Sequence, residues 1–412
     1  LQEGFGVQLL IMGVAIVAAA GTGLFLTFGR FSHGDRWLAT VTPLASIIGS
    51  GFLICGPLLA REFGGAALLA MSLLLLLAYA VGWVIRFNIT HVEAYSDTAD
   101  LHDPLIWIAR VTQVVLAVAY AISVAYYLKL LTEFALKPLD ISPYWHWLGG
   151  NVAVTLIILM LAGLAFWGDL RRVEKLAHGT VSLKIGIIAG LLAALACWWI
   201  FHAGTTAPLP PVRLSWRSIP VLLGLLITVQ GFETSRYLGH SYGRDMRIRT
   251  MRHAQWIAAG IYLAFIGLLT PFLDRAAHTD GVAGILDIMQ FIAPALAIFV
   301  LVGALASQLS AAVADSIGSS GLINEVSRRK LSVSAAFGLA GALSIAIVWL
   351  TDPMQVVAVS SRAFALFYAL QCALALFVSI RAQAGSIWHR VAFLMIGTVC
   401  LVAALTGAPA ES

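Results

Sequence analysis

Charge is what this sequence has least of. Only 11% of its 412 residues are Asp, Glu, Lys or Arg, against 60% that are apolar, and the mean hydropathy is +0.92. Soluble domains carry charge on about a quarter of their residues, so the scarcity excludes a soluble fold. Cysteine is scarce too. Cys55, Cys197, Cys372 and Cys400 all lie in apolar runs with no CxxC pair, which excludes a disulfide framework and leaves reduced packing residues. The histidines show no paired spacing that would hold a metal ion. No low-complexity tail and no long polar loop interrupts the chain, so function has to lie among its apolar segments. The formal net charge of +5 is confined to short basic blocks between apolar runs, a pattern that orients a membrane protein and does not point to nucleic acid.

What is present is a succession of apolar runs of bilayer length. They predict helices near 7–29, 37–60, 64–87, 104–134, 147–167, 177–201, 218–239, 253–274, 286–320, 332–350, 354–380 and 388–408, about twelve spans of an all-α polytopic membrane protein. The first run has no basic segment before it and exceeds the length of a signal-peptide core, so it is expected to stay as a helix. Alternate loops divide the positive charge unevenly. One set holds sixteen basic residues, including Arg171, Arg172, Lys175, Arg236, Arg244, Arg247, Arg249 and Arg252; the other holds five, Arg61, Lys137, Arg213, Arg217 and Arg275. Positive loops stay inside. The basic loops are therefore expected in the cytoplasm and both chain ends outside.

Two apolar spans carry residues out of character with a continuous membrane helix. The second contains Ile47-Ile48-Gly49-Ser50-Gly51-Phe52 near its middle, with Pro57 further on. Glycines around a serine free backbone amides and carbonyls at mid-membrane for a ligand, although close helix packing through small residues is the commoner use. The seventh span contains Thr228-Val229-Gln230-Gly231-Phe232-Glu233-Thr234. An ionisable residue inside a membrane is costly and marks a functional site by default, the alternative for Glu233 being a structural carboxyl bonded to freed amides. A separation of five spans puts the two breaks at corresponding positions of two halves of opposite topology. That points to an inverted-repeat transporter.

These stretches carry a family resemblance. Ile48-Gly49-Ser50-Gly51-Phe52, then Gly56-Pro57 and Gly64-Gly65-Ala66-Ala67, resembles the first helix and turn of amino acid/polyamine/organocation (APC) superfamily permeases. Gly231-Phe232-Glu233 resembles that superfamily's sixth helix, and Val181-Ser182-Leu183-Lys184-Ile185 the start of its fifth. The resemblance implies a LeuT-type fold of five-plus-five inverted helices. One extra helix and loop (1–36) would precede the first repeat (37–202), and one helix (382–412) would follow the second (203–381). The family usually places both additional helices after the core, and the stretch Ser235-Arg236-Tyr237-Leu238-Gly239 lacks its acidic, proline-bearing continuation. The Asp-Pro-Gly-Asn and Met-Pro-His motifs of manganese and iron carriers with the same architecture are absent.

The activity implied is secondary transport of a small solute, an amino acid or related amine, by alternating access and coupled to protons. The substrate site would comprise Ile47, Gly49, Ser50, Gly51, Gln230, Gly231, Phe232 and Glu233. The fifth-helix lysine of resembling proton-coupled permeases takes the place of a sodium ion, which assigns coupling to Lys184, with Glu233, Ser307, Ser310 and Asp315 as further participants. Ser307 and Ser310 would serve a sodium site equally well, and Lys184 could instead snorkel to the surface. Gln113, Tyr120, Ser123 and Tyr126 of the fourth span fall at roughly helical spacing and could line one wall, although tyrosines near span ends are usually interfacial anchors. Arg362, after Ser360 and Ser361, suits an outer gate, a carboxylate partner or snorkelling. No cofactor and no structural metal is expected. The partners are the solute or ion and the lipid of a bacterial inner (cytoplasmic) membrane. Two other readings remain: an inorganic cation transporter, potassium-like or divalent, on the same fold, and a transporter-like sensor. A membrane enzyme such as a lipid-modifying transferase would need a nucleophile, acid–base or metal constellation that the sequence does not offer.

Overall fold

The computed structural model of the chain describes residues 2–30, 34–49, 51–96, 104–139, 141–166, 170–202, 209–240, 242–279 and 281–410. Apart from one isolated bridge between Gly64 and Val212, the described residues are helix, turn and connection. In chain order the helices are α1 (Gln2–Phe28), α2 (Asp35–Ile47), α3 (Gly51–Phe63), α4 (Ala67–Ser96), α5 (Pro104–Leu136), α6 (Pro143–Phe166), α7 (Leu170–Phe201) and α8 (Ser218–Gly224). They continue with α9 (Arg244–Leu269), α10 (Leu273–Ala277), α11 (Ile285–Ile292), α12 (Pro294–Val326), α13 (Val333–Leu350), α14 (Pro353–Arg381) and α15 (Ile387–Thr406).

Eleven segments among the described residues are long and apolar enough to cross a bilayer, α2 and α3 counting together as one. The expected seventh span is not among them because it is cut into pieces. α8 gives way to a 3-10 turn at Leu226–Val229, an extended Gln230 and a second 3-10 stretch at Phe232–His240. The chain is thus an all-helical, polytopic membrane protein. Burial is deepest in the α5 span and in the α2–α3 span, and least in α1 and α15 at the periphery. α1 lies along α7, and α15 along α14.

Each break has a local cause. Gly49 N–H reaches only to Ser46 O (3.1 Å), a tightened turn that closes α2 before α3 restarts at Gly51. Gly231 has φ +118°, a backbone region that side-chain-bearing residues rarely adopt. The hydroxyls of Thr228 and Thr234 bond back to Leu225 O (2.6 Å) and Gly231 O (2.7 Å), so local side chains satisfy carbonyls at the interruption.

One expected element differs. The single helix over 286–320 is two, α11 and α12, separated by Ala293 in an extended conformation. The residue after it explains this: Pro294 disfavours the helical region at the position before it and opens the next helix as its first residue. The 253–274 span also begins earlier, at Arg244, so the arginines from Arg244 to Arg252 sit on the first turns of α9 and not in a loop.

Candidate functional site

The two interrupted spans meet. A Cβ on Gly51 would stand 2.3 Å from Thr228 Cα, and one on Gly231 would stand 2.6 Å from Ser46 Oγ and 2.7 Å from Ile47 N. The backbones are in contact at both breaks, and only glycine lets them approach so closely. Tyr262 of α9 locks the junction. Its hydroxyl bonds to the carbonyls of Ile47 (3.0 Å) and Thr228, the last turn of each segment before its break. Across the gap in the seventh span, Ser361 of α14 accepts from Ile227 N–H (2.9 Å) and donates to Gly224 O (2.7 Å). A hydroxyl from a neighbouring helix thereby satisfies two backbone groups that an unbroken helix would have paired itself.

Glu233 is fully buried. Its Oε2 accepts from Gly231 N–H (2.9 Å) and from the Tyr368 hydroxyl (3.0 Å), while Oε1 has no partner among the described residues. Phe232 stacks on Tyr368 with ring centroids 5.4 Å apart. Gln230 donates to the Tyr127 hydroxyl (2.8 Å) and leaves Oε1 unpaired. Gln308 of α12 is completely buried with both carboxamide atoms unpartnered. Unsatisfied buried polar atoms are rare in folded proteins, and here several cluster around the unwound backbone.

A second polar group lies beside the α2 break. Lys184 of α7 is 3% exposed and donates to Ala45 O at 2.7 Å. The snorkelling alternative does not hold, because the ammonium turns inward onto the end of α2. Ser307 donates to Gly49 O, so α7 and α12 each bind one freed carbonyl of the same break. Ser310 is engaged with Ser307 O (3.0 Å) on its own helix. Asp315, two turns along α12 from Ser307, accepts from Ser123 of α5.

A cavity of about 960 Å³ leads away from these groups. Lys184, Asp315, Ser310, Ser46 and Thr234 line its inner end; Glu93, Arg236, Arg244, Arg247 and Glu325 line its mouth, at the arginine-rich face of the molecule. Glu93 there receives a two-pronged bond from Arg247, at 2.7 and 2.9 Å. The cavity stops at Ser46 and Thr234. Ile47, Gly49, Gly51, Gln230, Gly231, Phe232 and Glu233, the residues singled out for substrate, are brought together immediately beyond it but are not on its wall. Ser50 lies outside the described residues. Of the fourth-span residues, Gln113 and Tyr120 line the cavity, Ser123 serves Asp315, and Tyr126 packs against Tyr127 at 5.0 Å between centroids. Among the described residues Arg362 has no carboxylate partner; it donates to Ala404 O (3.0 Å) and Leu405 O (3.2 Å) at the end of α15.

Sequence reasoning missed Tyr262, Tyr368 and Tyr127, which reach the breaks from helices remote in sequence. A buried tyrosine needs a partner for its hydroxyl, and that is the one signal that would have flagged them.

By class, a membrane-embedded helical bundle with two unwound segments facing each other at the head of a one-sided cavity is a transporter. The comparisons agree with the geometry. A family model described as an APC superfamily transporter matches residues 29–407, and the chain belongs to that family. An uncharacterised protein of Aquifex aeolicus (strain VF5) is 35% identical over 348 residues, spanning 83% of this chain and 84% of its own length. The crystal structure of a point mutant of the Eremococcus coleocola manganese transporter matches with a TM-score of 0.53, 13% identity, and coverage of 90% of this chain and 87% of the other. At that identity the likeness is one of fold.

Proposed function

We propose that this APC superfamily transporter moves a small amino acid or related amine by alternating access, coupled to protons through Lys184. The single observation that carries the reading is the Lys184 ammonium on Ala45 O beside the α2 break, with Ser307 on the neighbouring freed carbonyl of Gly49. A lysine there ties α7 to α2 most strongly while it is protonated, because its neutral amine is a weaker donor. Loss of the proton removes a charge-assisted bond between helices that have to move. The substrate would sit at the junction itself, its ammonium drawn to the unpartnered Glu233 Oε1 and Gln230 Oε1. In this reading the repeats 37–202 and 203–381 rock about that junction, the arginine-rich face is cytoplasmic, and the cavity opening on it is the inward-facing path.

An inorganic cation is the second reading, favoured by the fold shared with a manganese transporter. No group of three or more His, Cys, Asp or Glu side chains is poised to hold a metal among the described residues, which bears on a divalent ion and not on potassium; the reading above is preferred on the Lys184 ammonium beside the α2 break.

Flux in proteoliposomes under imposed gradients tests the proposal. We expect uptake driven by an inward proton gradient without sodium, a Lys184→Ala variant that inserts but no longer accumulates solute with pH, and a Lys184→Arg variant held in one state. Strict sodium dependence, or full proton-driven uptake by Lys184→Ala, overturns the coupling. Stabilisation of the purified protein by manganese or potassium, with none by amino acids or amines, overturns the substrate class.

A further inference from the structure

A narrow groove of about 280 Å³ runs along the flank of the molecule between α4 and α9. Leu75 and Leu76 form one wall, Ala259 and Leu263 the other, and Leu76 is 64% exposed at the lip, where the bundle faces lipid. The floor is Ile47, Val229 and Phe232. These flank the two breaks, so the groove reaches the moving parts from the side while the large cavity reaches them from the arginine-rich face.

The groove has little for a polar solute. Ser72 bonds back to Leu68 O (2.8 Å), and the Gln255 carboxamide is divided between Ala78 O (2.8 Å) and Arg86 Nη1 (2.5 Å). Nor does it hold a protein segment. One helical turn, roughly 10 Å across and 5.4 Å tall, fills about 400 Å³, more than the groove contains. Its apolar lining suits a hydrocarbon chain, part of whose length the groove can hold.

Its end nearer the arginine-rich face is marked by aromatic and basic side chains. Tyr79 of α4 and Trp256 of α9, both on the groove wall, stand 5.4 Å apart between centroids and narrow it there. Beyond them lie Arg86, whose guanidinium covers the Tyr79 ring at 4.9 Å, and Arg252, four residues before Trp256 and hence on the same face of α9. Arg86 is buried, Arg252 exposed, and neither has a carboxylate partner among the described residues. Neither arginine is on the groove wall, but Arg86 bonds to the lining residue Gln255 and Arg252 stands one turn before the lining residue Trp256; a nearly buried guanidinium with no carboxylate partner among the described residues, beyond the end of an apolar groove, calls for an anion that carries a tail.

We propose that this groove is a specific site for an anionic phospholipid, its phosphate at the Arg86–Arg252 end and one acyl chain filling the groove down to Ile47, Val229 and Phe232. Basic sites between membrane helices recognise anionic headgroups in this manner. The bound chain supports the outer side of both breaks, so the lipid stabilises this arrangement of the unwound segments whatever solute is carried.

The test uses the delipidated full chain in an uncharged detergent, titrated with phosphatidylglycerol or phosphatidylcholine of identical chains. Native mass spectrometry reads bound lipid and thermal unfolding reads stabilisation. We expect phosphatidylglycerol to bind more tightly and to raise the Tm where phosphatidylcholine does not. Arg252→Gln should weaken phosphatidylglycerol binding about five-fold, as befits one headgroup charge. Ala259→Trp, which fills the groove and leaves both arginines, should abolish the preference. Arg252 is exposed and Ala259 only half-buried, so both variants should stay monodisperse, unlike Arg86→Gln, which also removes one partner of Gln255. Equal binding of the two lipids, or wild-type phosphatidylglycerol binding by Ala259→Trp, overturns the proposal.

Discussion

Tyr262 does with one hydroxyl what no residue of the broken helices can do for itself: it supplies a donor to two carbonyls released where helices stop. Its ring packs edge-on against Phe52, 5.6 Å away, and this contact is indifferent to the hydroxyl. Tyr262→Phe therefore isolates the polar contribution. With Ile47 O and Thr228 O both left unserved in a buried place, the variant should lose about 1–3 kcal/mol of stability, read as a lower unfolding temperature in detergent with no loss of helical circular dichroism. At Glu233 the same accounting leaves one carboxylate oxygen unpartnered. Glu233→Gln keeps an oxygen for Gly231 N–H and Tyr368 but presents an amide where the free oxygen was. It should fold and should lose binding of an amine-bearing solute in thermal-shift titration; retained binding would place the amine elsewhere.

The interrupted spans show what a sequence exposes and what it hides. Gly49 to Gly51 and Gly231 were legible as breaks because glycine at mid-membrane, beside a serine or a carboxylate, weakens the helix by its own chemistry. The Ala293 interruption was equally open to view through Pro294 but lay inside an otherwise uniform apolar run. Ser361 was visible as a polar residue and not as the bridge between Gly224 and Ile227, because that role depends on how α14 packs beside the seventh span. The position of the cavity was legible only at Gln113 and Tyr120, through their helical spacing, since the rest of its wall comes from helices far apart along the chain. At this scale Gly231→Ala should destabilise the protein by about 1–3 kcal/mol through backbone strain alone, with more from the contact at Ser46. Ser361→Ala, which leaves a buried N–H and C=O without partners, should cost a similar ~1–3 kcal/mol. Gly51→Leu should fail to fold, because its side chain would enter the Thr228 backbone.

Taken whole, the molecule is open on one face, and that asymmetry can be read chemically. Its four cysteines are free and buried, so a cysteine introduced at Ala314 on the cavity wall should be the main site for a membrane-impermeant thiol reagent. With the arginine-rich face in the cytoplasm, labelling should occur in inside-out vesicles and not in right-side-out cells; the reverse would invert the proposed orientation. One further feature acts before the protein is finished. α1 rests on α7 through close contacts in which Gly186 and Gly190 meet the backbone of Ala19 and Ala15, yet about 140 residues separate Phe28 from Leu170. At translation rates of roughly 5–20 residues per second, α1 waits on the order of 7–30 s in the bilayer before the helix that carries Lys184 is made. Throughout that interval its small-residue face has no partner from its own chain, and the assembly of this transporter depends on α1 remaining unclaimed by neighbouring membrane helices until α7 arrives.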